Sequence, residues 1–252
     1  MFSVVLQGGI GNRLFQLAMG FGYEKKYGNK FVLCKNEVRD YRDDQKGDHS
    51  YFLRDIEIVE QIFDTVKVDQ PCYYYDIPKY ENVCFNGYFQ TDKYFKNIRS
   101  QILEQFSCPI AKRKELFEKY PNLQNCIFLH IRRGDYVNHW LHYIDLSKYY
   151  DYCLKQFKDV EVLVCSDDKE WCKQNYPNFN ILDENEVNTL WIMSLCGKGG
   201  ICSNSSFSWW GSWLNENKDA TFFYPNKQFN DPGIIINDLH SDNLTIIDLN
   251  SL

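Results

Sequence analysis

The chain contains no C-x-x-C pair, no basic lead before its first apolar segment and no run approaching the roughly 18 apolar residues of a membrane span. It also lacks an excess of Lys and Arg, with a formal charge of −6 and a pI near 5.4. Each shortage removes a class of function. Without local ligand pairs, the ten scattered cysteines read as reduced core residues, not as a disulfide frame or a zinc site. Without a basic lead, the short apolar stretch Met1 to Gln7 does not read as a signal peptide. The expectation is a cytoplasmic chain with no membrane span, compatible with peripheral association with a membrane. Without clustered cations, a broad nucleic-acid surface is excluded and any basic site is local. No internal repeat and no low-complexity run interrupts the sequence.

Aromatic residues are abundant, with 18 Tyr, 18 Phe and 6 Trp. Rings with a polar handle serve a core, and they serve sugar or base stacking equally well. At 252 residues the chain is long enough for one large domain or two modest α/β domains.

Patterning favours an α/β fold. Met1 to Gln7 reads as an apolar strand, Gly8-Gly9-Ile10-Gly11 as a turn, and Asn12 to Tyr27 as a helix with apolar positions at Leu14, Leu17, Ala18 and Phe21. Strands are expected at Phe31 to Cys34 and Val83 to Gln90, with a charged loop over Asn36 to His49 that includes Asp40, Asp43, Asp44 and Asp48. Lys93 to Tyr120 is helical in pattern, interrupted at Cys108-Pro109 and ended by Tyr120-Pro121-Asn122, so a domain boundary falls in that region. Strands then alternate with helices: Cys126 to Ile131, Val160 to Cys165, Phe179 to Leu182, Gly200 to Ser203 and Ala220 to Tyr224 are strands, separated by helical segments. Such alternation specifies a parallel sheet covered on both faces, with ligands at the carboxyl ends of its strands.

Three strand ends carry chemistry. His130-Ile131 runs into Arg132-Arg133-Gly134-Asp135-Tyr136, and two guanidinium forks there suit the paired oxygens of a phosphate. The plain alternative is an Arg132 or Arg133 pair with Asp135. Ser203-Asn204-Ser205-Ser206 precedes a helix containing Trp209, Trp210 and Trp213, so its hydroxyls either cap that helix or join its amides in cradling an anion, while the tryptophans read as core. Cys165-Ser166-Asp167-Asp168 ends a further strand, with acids suited to ribose hydroxyls, a helix cap or a divalent ion. The glycine turn lacks the third glycine of a dinucleotide fingerprint, since Leu14 stands there, yet Asn12, Arg13 and Gln16 offer polar groups from the first helical turns. His139 and His142 read as surface or acceptor-groove residues, not as a metal site.

Taken together, Gly8 to Gln16, His130 to Tyr136 and Ser203 to Gly211 resemble the bacterial α-1,2-fucosyltransferases of glycosyltransferase family 11 in composition, order and spacing. The resemblance implies a GT-B-like fold of two Rossmann-like parallel-sheet domains, residues 1–115 on the acceptor side and 116–252 binding GDP-fucose. It further implies inverting transfer of L-fucose from GDP-β-L-fucose to the 2-hydroxyl of a terminal galactose on a glycan, forming an α-1,2 linkage. No metal and no cofactor beyond the donor are implied. Arg132 and Arg133 fall on the family's diphosphate-holding pair, and His130 on a contact to guanine or phosphate. Ser205 and Ser206 fall on phosphate-side hydroxyls, Asp168 on a nucleotide-side acid, and Asn12 on the donor-facing amide of the glycine loop. Asn188-Thr189-Leu190 departs from the family's guanine-reading acid, for which Glu186 is the substitute. Arg132 and Asp135 are the expected catalytic residues, Asp135 acting either as a base or by orienting an arginine. The alternative function is a non-catalytic, lectin-like carbohydrate-binding module, for which paired arginines would be superfluous. A glycoside hydrolase would need two convergent carboxylates, and only the adjacent Asp167 and Asp168 present themselves.

Overall fold

The computed structural model describes residues 1–35, 49–60, 63–69 and 71–252. The charged loop expected over Asn36 to His49 lies outside the described residues except for His49. The chain divides into two compact units, the first holding the described residues up to Phe106 together with Gly233–Ser241, the second holding Ser107–Pro232 and Asp242–Leu252. The sequence reading put the division at residue 115. By contacts, the helix Ile110–Lys119 that follows Pro109 falls whole in the second unit, and Gly233–Ser241 returns to the first.

In the first unit, β1 (Phe2–Val4) leads through the glycine turn into α1 (Ile10–Tyr27), followed by β2 (Val32–Cys34), β3 (Glu57–Val59), β4 (Asp64–Lys67), β5 (Val83–Asn86) and α2 (Arg99–Phe106). β1, β5 and β4 form a parallel sheet in that order, β2 pairs in parallel with β3, and a parallel bridge from Phe2 to Phe31 links the two sets. α1 begins two residues earlier than its apolar spacing indicated, because Gly9 serves as its N-cap. Gly8 has φ of +76°, where glycine lacks the steric penalty of other residues, and an added Cβ would stand 2.5 Å from the Asn12 side chain. β3 and β4 escaped the pattern because their residues are mostly exposed and carry little apolar periodicity. The returning segment is tied down by Asp238, which accepts from the Tyr74 amide at 2.8 Å and pairs with Lys93.

The second unit contains α3 (Ile110–Lys119), β6 (Cys126–Ile131), α4 (Ser147–Leu154), β7 (Glu161–Ser166), α5 (Lys169–Asn175) and β8 (Asn180–Ile181). It continues with α6 (Glu186–Leu195), β9 (Gly199–Ile201), α7 (Ser206–Trp213), β10 (Thr221–Pro225) and β11 (Leu244–Ile247). Its six strands are all parallel, in the order β11-β10-β9-β6-β7-β8. Numbered within the unit, that is the doubly wound order 3-2-1-4-5-6. β6 is buried along its whole length, as a central parallel strand must be. Ile127, Leu129 and Ile131 pack with Tyr149, Tyr150 and Cys153 of α4. Trp209, Trp210 and Trp213 are buried with mutual centroid distances of 5.1 to 6.1 Å, which bears out their reading as core. Truncating one such ring costs about 3–5 kcal/mol. All ten cysteines are buried.

Candidate active site

A sheet with this order has a crevice where the strand sequence reverses, between β6 and β9, and ligands sit there outside the carboxyl ends. The loops leaving those two strands are Arg132-Arg133-Gly134-Asp135 and Cys202-Ser203-Asn204-Ser205. His130 joins them, its Nδ1 standing 2.8 Å from Ser203 Oγ. Burial, and then the nearby Arg132 charge, push the His130 pKa down to about 3, so the ring is neutral at ordinary pH.

Register explains the arginine pair. β6 and β7 align Ile131 with Ser166, so Arg132-Arg133 emerge beside Asp167-Asp168. Arg132 Nη1 lies 2.7 Å from Asp167 Oδ2, and its Nη2 pairs with Asp135. Burial works against the Arg132 charge, but the Asp167 and Asp135 carboxylates outweigh it and raise the guanidinium pKa. Asp167 also accepts the Arg133 backbone N–H at 2.9 Å. Its approach requires glycine at 134, where a Cβ would stand 2.4 Å from Asp167 Oδ2.

Arg133 is held differently. Its Nε donates to Asp168 Oδ2 at 3.0 Å, and its guanidinium carbon lies 3.9 Å from the centroid of the Trp171 ring. Asp168 Oδ1 meanwhile accepts the Trp171 amide at 3.1 Å and caps α5; the Arg133 bond and then this cap hold its carboxyl below the usual range. Among the described residues, the side-chain hydrogen bond of Arg133 runs through Nε, and none is made by its two terminal nitrogens. Arg133 therefore presents a planar fork that is fixed from behind and open in front.

A cavity of about 140 Å³ opens beside this fork, lined among others by Arg132, Arg133, Tyr136, His142, Trp171 and Asn204. Sites that enclose a whole organic ligand run to roughly 300–1,000 Å³, so this cavity accommodates part of a nucleotide sugar, not all of it. Asn204 is buried and donates to the His142 carbonyl at 2.9 Å and the Gln228 carbonyl at 3.1 Å, which fixes the far wall.

A model of the family described as glycosyl transferase family 11 matches residues 29–233. The chain belongs to glycosyl transferase family 11. Relatives of this family 11 chain include an alpha-1,2-colitosyltransferase of Escherichia coli, 30% identical over 252 residues, covering 83% of this chain and 86% of the relative. A galactoside 2-alpha-L-fucosyltransferase of Caenorhabditis elegans is 24% identical over 258 residues, covering 88% and 71% respectively. Among solved structures, fucosyltransferase NodZ from Bradyrhizobium matches with a TM-score of 0.56 at 11% identity, over 83% of this chain and 92% of NodZ. NodZ alpha-1,6-fucosyltransferase co-crystallized with GDP matches at 0.54 and 12%, over 83% and 91%. The fold is of the GT-B type, with parallel-sheet units.

Against that background the expected site residues of the family 11 chain separate into groups. Arg132 and Arg133 line the cavity; His130, Asp135, Asp168, Ser205 and Ser206 do not. Ser205 is the N-cap of α7, its Oγ accepting the Phe207 amide at 3.3 Å, and Ser206 is the first residue of that helix. Glu186 opens α6 behind the N-cap Asn185. Asn12 belongs to the first unit, where its Oδ1 accepts from Gln90 Nε2 at 2.7 Å. Gln16, read as a polar group offered to a ligand, is instead buried: its Oε1 accepts the Gln7 amide and its Nε2 donates to the Gly87 carbonyl, both at 3.0 Å. Asp167, Trp171 and Asn204 were not assigned to the site from sequence; it is the observed register of β6 on β7, one residue off the expected strand ends, that places Asp167 beside Arg132. Among the described residues, no group of three His, Cys, Asp or Glu is arranged to hold a metal ion, and no helix is long and apolar enough to cross a membrane.

Proposed function

We propose that this chain transfers L-fucose from GDP-β-L-fucose to the 2-hydroxyl of a terminal galactose, with inversion to an α-1,2 linkage and without a metal. The observation that carries this reading is the open Arg133 fork beside the braced Arg132, at the crevice of a doubly wound sheet. The C. elegans relative, a galactoside 2-alpha-L-fucosyltransferase, supports the sugar and linkage. NodZ crystallised with GDP supports the nucleotide. Ten buried thiols support a reducing, cytoplasmic setting.

In this reading the bond from fucose C1 to the phosphate oxygen breaks and its electron pair passes to GDP. The Arg133 fork and Arg132 stabilise that growing charge, while the amides opening α7 add their dipole. The acceptor oxygen bonds to C1 from the opposite face and gives up its proton to solvent water, so inversion follows from holding both partners in line. Asp135 is 70% exposed and paired with Arg132, a geometry that favours an orienting role over that of the base.

A second donor has a specific observation in its favour, namely the colitosyltransferase relative. Colitose is fucose without its 3-hydroxyl, and an arginine pair on the diphosphate is indifferent to that change. The test is calorimetry with GDP, UDP and NAD, then transfer to lactose from GDP-fucose and GDP-colitose side by side, with and without EDTA, and NMR of the product. GDP-selective binding and EDTA-resistant α-1,2 fucosylation are expected. Preference for GDP-colitose reassigns the sugar, rescue by Mg²⁺ after EDTA inactivation reassigns the charge stabilisation, and silence with all three nucleotides supports the lectin.

A further inference from the structure

The loop between Tyr136 and Tyr143 carries an indole that the fold leaves outside. Five of the six tryptophans are buried or half-buried, whereas Trp140 is 72% exposed. The loop around it is nevertheless held from several directions. Asn230 donates from Nδ2 to the Trp140 carbonyl at 2.9 Å and from its backbone to the Leu141 carbonyl at 2.8 Å, and it also reaches the Tyr143 carbonyl. Asn204, on the serine loop, holds the His142 carbonyl, and the His142 ring stacks on Tyr136 at 4.7 Å and 15°. These bonds fix the backbone that carries the indole before any ligand arrives, which lowers the entropy cost of binding.

We infer that Trp140 is a stacking platform for the acceptor sugar, an inference that rests on the proposed transferase function. The loop is continuous with the arginine cavity, since Tyr136, His142 and Tyr143 on either side of Trp140 line it. The occupant is therefore adjacent to the donor and distinct from it. Its chemistry is that of a neutral pyranose. A single indole offers far less area than the roughly 1,200 Å² of a stable protein interface, and its neighbours Asn138 and His139 are exposed and polar. Galactose matches this surface, presenting one face of C–H groups to a ring and hydroxyls to the rim.

The test is steady-state transfer at saturating GDP-fucose with lactose and N-acetyllactosamine varied, comparing wild type with Trp140→Ala and Trp140→Phe. Truncation of a stacking tryptophan is expected to raise the acceptor KM about tenfold or more, with partial recovery in Trp140→Phe and GDP affinity within about twofold of wild type. In the wild type, lactose added with GDP is expected to reduce acrylamide quenching of tryptophan fluorescence, and to have no such effect in Trp140→Ala. An active wild type with an unchanged Trp140→Ala acceptor KM overturns the platform alone. A parallel loss of GDP affinity also overturns it, by moving Trp140 to the donor side. A wild type inert towards every β-galactoside overturns the proposed function and the platform with it.

Discussion

Two glycine-bearing exits from parallel strands, one in each unit, look alike in sequence and differ in what their polar groups do. After β1, Gln16 is committed to the Gln7 amide and the Gly87 carbonyl, and Asn12 accepts from Gln90. After β6, carboxylates fasten Arg132 and Arg133 from behind while the Arg133 fork stays open beside a cavity. The first exit uses its hydrogen-bonding capacity to build the fold. The second keeps some in reserve, and that reserve is what a ligand can use.

The sharpest way to break this contrast is at the arginines. Arg132→Ala and Arg133→Ala are each expected to lower turnover by roughly 100-fold or more and to weaken GDP binding, with little recovery in the Lys variants because a point charge does not reproduce a bidentate fork. A Lys variant with wild-type turnover removes the fork from the mechanism. At the first exit, Gln16→Leu leaves the half-buried Gln7 amide and the buried Gly87 carbonyl unpaired, so a loss of about 2 kcal/mol in urea unfolding is expected, with unchanged calorimetric GDP affinity. A drop in affinity without a drop in stability would place that turn on the donor after all.

Asp135→Asn sharpens the second exit. If the carboxylate orients Arg132, turnover and GDP affinity fall together by about tenfold, as geometry loosens in ground and transition states alike. Intact GDP binding with turnover down about 100-fold makes Asp135 the base instead. The smallest effect concerns His130, whose pKa lies below that of an unfolded histidine because burial disfavours its charge. Between the two values the unfolded chain binds the extra proton, so this contribution to stability is fully present above about pH 6.5 and falls with acidification towards about pH 3. Between about pH 7 and pH 6 the loss is below about 1 kcal/mol. Denaturant midpoints of wild type and His130→Asn are expected to differ in pH slope by that amount, and parallel slopes would show that His130 carries its proton in the folded state.

Sequence patterning located the strands of the second unit because β6, β7 and β10 are apolar runs bounded by turn residues. It missed β3 and β4, whose exposed residues leave no period to read, and β11, a strand paired only along one edge. Arg132 and Arg133 were visible as residues, since two adjacent guanidiniums at a strand end have few structural uses. Asp135 was readable as a partner and does pair with Arg132, but the partners across the sheet were not readable. Asp167 and Asp168 lie 34 or 35 positions away from the arginines they touch, and only strand register brings them together. Gln16 misled for a complementary reason: a glutamine on a helix looks the same in sequence whether it faces a ligand or two backbone groups of its own fold.

The return of Gly233–Ser241 to the first unit bears on the order of events during synthesis. Domains emerging from a ribosome generally fold from the N-terminus onward. Here the Asp238 carboxylate that satisfies the Tyr74 amide and pairs with Lys93 leaves the ribosome only after almost all of the second sheet. The first unit is thus expected to form early and to be closed late. A nascent chain halted at residue 232 is expected to hold its first sheet together while leaving the Tyr73 to Tyr75 segment open to protease.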